Sequence, residues 1–83
     1  MAGGIVEIDV HGMGVEDAQA AVERKVRAAG SGVYRVRVIH GYHGGTRIRS
    51  MLREEFSYGR EPKVLRIEMG GNQGITELVL REY

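Results

Sequence analysis

The sequence predicts a two-layer α/β fold of order β-α-β-α-β-β: a four-stranded mixed sheet with two helices on one face. Three observations carry this. Segments with period-two alternation and segments with helical apolar spacing take turns along the chain. The 83 residues, 42% hydrophobic, suffice for one core but not for two lobes around a cleft. Thirteen glycines against one proline cluster largely between the periodic segments, where the backbone must turn or approach something closely.

Residues 1–4 read as a disordered lead, and residues 5–83 as a single domain. Ile5 to Val10 is the first strand: Val6, Ile8 and Val10 point one way, Glu7 and Asp9 the other. His11-Gly12 ends it. Val15 to Ala29 is a helix, with an apolar stripe of Val15, Ala18, Val22, Val26 and Ala29. Glu16 and Asp17 in its first turn, and Arg24, Lys25 and Arg27 near its end, complement the helix dipole, and Gly30 and Gly32 bracket its stop. Tyr34 to His40 is the second strand, where Arg35 and Arg37 alternate with Val36 and Val38. A loop runs from Gly41 to Gly45. Thr46 is then a candidate N-cap for a second helix to about Phe56, whose stripe is Ile48, Met51, Leu52 and Phe56. Tyr58-Gly59 and Pro62 break it. Val64 to Met69 and Ile75 to Leu80 are the last two strands, joined by a turn at Gly70–Gly74. The strand–helix–strand start implies a right-handed crossover and parallel pairing of the first two strands.

With no cysteine, disulfides, thiolate zinc sites and cysteine nucleophiles are excluded. No apolar run approaches the ~18 residues of a membrane helix, and no signal-peptide pattern opens the chain, so a cytoplasmic protein without membrane contact is the expectation.

The net charge of +1 hides a segregation. Between Glu23 and Glu54 there is no acidic residue, while Arg24, Lys25, Arg27, Arg35, Arg37, Arg47, Arg49 and Arg53 all lie there with His40 and His43. Such a patch attracts polyanions, and nucleic acid is the expected partner. The alternative is a solvated surface paired with carboxylates such as Glu7 or Glu68. Arg47 and Arg49 lie in the first turn of the second helix, with Arg53 one turn beyond Arg49, and cations in the first turn oppose the dipole unless an anion binds. Backbone amides of Gly41, Gly44 and Gly45, with Thr46, are placed to reach a phosphate. The loop lacks the Lys-Ser/Thr pair of a P-loop.

His11 and His40 each end a strand. If those strands are parallel neighbours, both lie at the carboxyl edge, where open α/β sheets bind ligands. Asp9, His11, His40 and His43 are therefore candidates to converge beside the loop. A carboxylate beside an imidazole suits acid/base work near neutral pH. Asp9 and His11 are also candidate ligands for a divalent metal, magnesium or manganese, with Glu7 as a further carboxylate. The alternative is that each histidine closes a strand end with a hydrogen bond.

The segments Ile8-Asp9-Val10-His11-Gly12 and Val38-Ile39-His40-Gly41, with the helix between them, resemble the Smr (small MutS-related) domain over about Ile5 to Leu80. The family's hydrophobic-Asp-x-His motif maps onto Ile8, Asp9 and His11. Its His-Gly-x-Gly-x-Gly motif maps onto His40, Gly41 and Gly45, but His43 stands at the middle glycine and Gly44 follows one step later. Short stand-alone bacterial members share this variant loop. Gly70 to Thr76 resembles the glycine-rich turn before the family's last strand. The resemblance implies a fold like the C-terminal domain of translation initiation factor three. It also implies nicking of DNA or cleavage of RNA in some members and nucleic-acid binding alone in others.

Three functions follow as expectations. The first is a phosphodiesterase: Asp9 orients His11 or helps hold a metal, His40 and His43 handle protons, and Gly41, Gly44, Gly45 and Arg47 hold the scissile phosphate, with Arg35, Arg37, Arg49 and Arg53 along the nucleic acid. The second is a binding module using the same groups. The third is an interaction protein using an open sheet face.

Overall fold

A computed structural model of the chain describes residues 4–41, 47–56 and 60–81. The elements are β1 (Ile5–Asp9), α1 (Val15–Ala28), β2 (Arg35–Ile39), α2 (Arg47–Glu55), β3 (Arg66–Met69) and β4 (Ile75–Val79). The boundaries expected from sequence hold to within a residue or two. Thr46, expected to cap α2, lies outside the described residues, as do His43, Gly44 and Gly45. Gly4, expected in the lead, accepts the backbone N–H groups of Tyr34 (2.7 Å) and Arg35 (3.1 Å), so chain pairing begins one residue before β1.

The sheet order is β1-β2-β4-β3. β1 and β2 run parallel, with Ile5 opposite Arg35 and Asp9 opposite Ile39. β4 is antiparallel to both β2 and β3. Alternation then sorts the side chains. Val6, Ile8, Val36, Val38, Leu78 and Ile67 face the helices; Glu7, Asp9, Arg35, Arg37, Glu77, Arg66 and Glu68 face the open side.

Both helices cover one face. Ala18, Val22 and Val26 of α1 and Met51 and Leu52 of α2, with Phe56 just after it, join Val36, Val38 and Leu78 in one buried cluster. Leu52, with no exposed surface, is central to it. Leu52→Ala removes that packing and costs about 2–5 kcal/mol, a large part of the stability of a domain this small.

The stop of α1 has a different cause from the one expected. Neither Gly30 nor Gly32 adopts a left-handed conformation; among the described residues only Gly12 and Gly41 do. Instead Lys63, from the segment before β3, donates to the carbonyls of Arg27 (3.2 Å) and Ala29 (3.0 Å). An ammonium there satisfies orphan carbonyls and complements the dipole. The β3–β4 turn forms as expected: the Asn72 carboxamide oxygen accepts the Gly74 N–H at 2.7 Å, and the Gly70 N–H closes onto the Ile75 carbonyl at 2.9 Å.

Candidate functional site

Because β1 and β2 are parallel, Asp9-Val10-His11 and Ile39-His40-Gly41 leave the sheet at the same edge. The Val10 N–H donates to the Ile39 carbonyl at 2.9 Å, extending the ladder one step beyond the strands. Gly41 then turns with φ +74°, a conformation that strains any residue with a Cβ. A Cβ built on Gly41 would stand 3.7 Å from the His11 Cβ, so the two motifs meet here.

His11 and Asp9 form a locked pair. Asp9 Oδ1 accepts the His11 backbone N–H at 3.0 Å and the His11 ring Nδ1–H at 2.5 Å. These bonds favour the ionised carboxylate and hold Asp9 below its ordinary pKa, the ring bond contributing most and the backbone bond next. With Nδ1 carrying its proton toward Asp9, Nε2 of the neutral ring carries the lone pair. The His11 side chain is 70% exposed, so the ring stands largely in solvent. This is the geometry of an oriented general base.

His40 is used differently. By register Asp9 shares a face with Ile39, so His40 leaves the opposite, helix-facing side. It is 8% exposed. Its Nδ1–H donates to the Gly41 carbonyl at 2.8 Å, and its Nε2 accepts the Thr76 hydroxyl at 2.8 Å. Both ring nitrogens are therefore engaged within the protein. The backbone N–H groups of His40 and Gly41 both donate to the Gly74 carbonyl at 2.9 Å. His40 thus ties the start of the glycine-rich loop to β4 and its turn. The strand ends converge as expected, but the His40 ring does not join Asp9 and His11.

The basic residues divide in two. On the open face, Arg35 bonds Glu68 (2.9 Å) and Glu77 (2.5 Å). Arg37 bonds Glu77 (2.9 Å) and Glu7 (3.1 Å), and Arg66 bonds Glu68 (2.8 Å). The resulting ladder of three arginines and three glutamates crosses all four strands. Glu68 and Glu77 stand directly opposite, which would repel, and Arg35 bridges them. These bonds raise the Arg35 and Arg37 pKa values further, through Glu68 first for Arg35 and Glu77 first for Arg37. Arg27 is likewise paired with Glu61 and Glu23. By contrast, no carboxylate among the described residues lies within 4.0 Å of Arg47 or Arg49 at the start of α2. Arg53 is exposed on the last turn of the same helix.

The donor set does not make a metal cage. Among the described residues, no three His, Asp or Glu side chains gather into a metal-binding group. Asp9 and His11 are turned onto each other, and Glu7 is turned onto Arg37. Among the described residues, no helix is long and apolar enough to cross a membrane.

Sequence reasoning did not single out Glu77, Thr76 or Gly74 as partners. Glu77 was detectable as a lone charge in the apolar run Ile75 to Leu80, where a carboxylate needs cations beside it. Nothing local marks Thr76 as the partner of a histidine 36 residues away.

The Smr domain family model matches residues 8–81. The crystal structure of the Smr domain of Thermus thermophilus MutS2 superposes with a TM-score of 0.80 at 27% identity, over 93% of this chain and 99% of that one. No curated protein matches the chain. A match spanning nearly all of the chain, both motif segments included, means that this protein belongs to the Smr domain family.

Proposed function

We propose that this domain binds nucleic acid at the carboxyl edge of its sheet and cleaves the phosphodiester backbone there. The observation that carries the reading is the Asp9–His11 pair, with an exposed ring beside the left-handed backbone of Gly41. Asp9 fixes the ring tautomer, so His11 Nε2 takes the proton of the attacking hydroxyl. Either a water or a ribose 2′-hydroxyl serves as that nucleophile; its oxygen bonds the phosphorus as the phosphorus–oxygen bond opposite breaks, and the leaving oxygen takes a proton from solvent water. Negative charge growing on the phosphate is met by Arg47. His40 holds Gly41 against β4 through the Gly41 carbonyl and the Thr76 hydroxyl. Arg47 and Arg49 hold flanking phosphates.

The test is nicking of supercoiled plasmid and cleavage of labelled RNA, each in magnesium, in manganese and in EDTA, for the parent and for His11→Ala. Cleavage that disappears in His11→Ala supports the reading. Salt-sensitive retention of either polymer without cleavage by the parent replaces it with a binding module. Retention of neither overturns the nucleic-acid reading altogether.

A further inference from the structure

On the helix side of the sheet, β3 lies at the edge, and α2 leaves it partly uncovered. The result is a groove of about 460 Å³ between α2 and β3, within the range of small-molecule sites. Its apolar part comes from Leu65, Ile67 and Met69, which alternation puts on this one side. Leu65 is 58% exposed and Met69 67%, and with Ile67 between them on the same side they make a contiguous apolar strip rather than scattered single residues. Arg49 and Arg53, one helical turn apart, line it from α2. Thr76 also lines it, and the Thr76 hydroxyl holds His40.

From these features we infer that the groove takes one unstacked nucleobase of a single-stranded segment, flanking the bond at the Asp9–His11 edge. The inference rests on the reading of this domain as nucleic-acid-acting and names the form of nucleic acid it prefers. A base is a flat, largely apolar plate attached to an anion. The groove offers the complement, an apolar floor with guanidinium groups along one side. Arg49 has no carboxylate within 4.0 Å among the described residues. The one carboxylate in the lining, Glu68, is already bonded to Arg35 and Arg66. A peptide adding to β3 would instead use the outer backbone edge of that strand and would need neither the floor nor the arginines. A duplex keeps its bases stacked and has none to insert.

The experiment compares binding of a single-stranded ten-nucleotide oligothymidylate and a blunt ten-base-pair duplex, for the parent and for the double variant L65S/M69S. Both side chains are exposed, so the variant keeps the core, and an unchanged melting temperature verifies this. The expected result is tighter binding of the single strand by the parent and a loss of about 5–10-fold in the variant, smaller than an aromatic stack would give. Duplex affinity should be unchanged. Shifts of the Leu65, Ile67 and Met69 methyl resonances on adding the single strand alone would support the same conclusion. Equal single-strand and duplex affinity, both insensitive to L65S/M69S, overturns the groove while leaving the proposed function standing. Binding of neither polymer by the parent overturns both. A parent that self-associates through these residues, with oligothymidylate affinity unaffected by their substitution, makes the groove an interface between copies and overturns the inference.

Discussion

Arg35 and Arg37, on the open side of β2, each meet two carboxylates; Arg47 and Arg49, at the start of α2, meet none among the described residues. All four belong to the same acid-free stretch of sequence, and linear charge density does not separate them. The fold does. β4 and β3 bring Glu77 and Glu68 beside β2, and β1 brings Glu7, so the open face becomes a balanced ladder. Among the described residues no carboxylate is brought within 4.0 Å of Arg47 or Arg49 in the first turn of α2. A basic run read from sequence is therefore an upper bound on the charge offered to a polyanion. The remainder depends on which strands become neighbours.

The sharpest way to test this contrast is at the edge itself. Asp9→Asn and His11→Ala should each reduce backbone cleavage by about 10²-fold or more while leaving the melt nearly unchanged, because both side chains are more than half exposed. Cleavage at parental rates in His11→Ala would remove it as the base.

Next in size is the paired test of the two arginine sets. Arg47→Gln with Arg49→Gln should lower the salt slope of nucleic-acid binding by about one for each phosphate that the pair no longer neutralises. Arg35→Gln with Arg37→Gln should leave the slope where it was and reduce stability instead. Reversal of these two results would mean that the open face is the binding surface.

Glu77→Ala goes further into the ladder. The carboxylate is nearly buried and holds two guanidinium groups, so its removal should cost about 1–3 kcal/mol, measured by urea denaturation, with binding intact. Gly41→Ala should cost about 1–2 kcal/mol because of its left-handed φ, and should impair cleavage as well as stability. The smallest effect is with pH. Glu68 is held below its ordinary pKa by Arg35 first and Arg66 second. A lowered carboxylate stabilises the fold above its unfolded pKa of about 4.3, and that contribution disappears as pH falls through the lower folded value. Asp9 behaves the same way through His11. Glu68→Gln should therefore lose a small amount of stability at neutral pH and converge with the parent in acid, which flattens the profile between; a profile parallel to the parent's would show that the Glu68 pair carries no weight.

Much of the architecture was legible because it rests on periodicity. The strands, the helices, the shared edge of His11 and His40 and the open face all follow from which residues alternate and which recur every three or four. The Asp9–His11 pair was legible too, being two residues apart. The fate of His40 was not. Its position at a strand end is local information, but its partner Thr76 is supplied by the far strand of a hairpin, and the face it takes depends on where β2 stops. The same holds for the end of α1, which looked like a glycine effect and whose last carbonyls are met by Lys63, 34 residues beyond Ala29.

The charged ladder has a consequence for how the sheet finds its register. A one-residue slip between strands turns every apolar side chain outward and is rejected by the hydrophobic effect alone. A two-residue slip preserves the inside–outside pattern, and the core residues discriminate against it weakly. The ladder supplies the missing discrimination. Sliding β2 by two residues against β4 in one direction puts Arg35 opposite Glu77 and Arg37 opposite Ile75, which takes Arg37 out of line with the carboxylate it now faces. The charges on the open face thus act as a vernier: they contribute modestly to how firmly the sheet holds and more to which of its near-equivalent alignments it settles in.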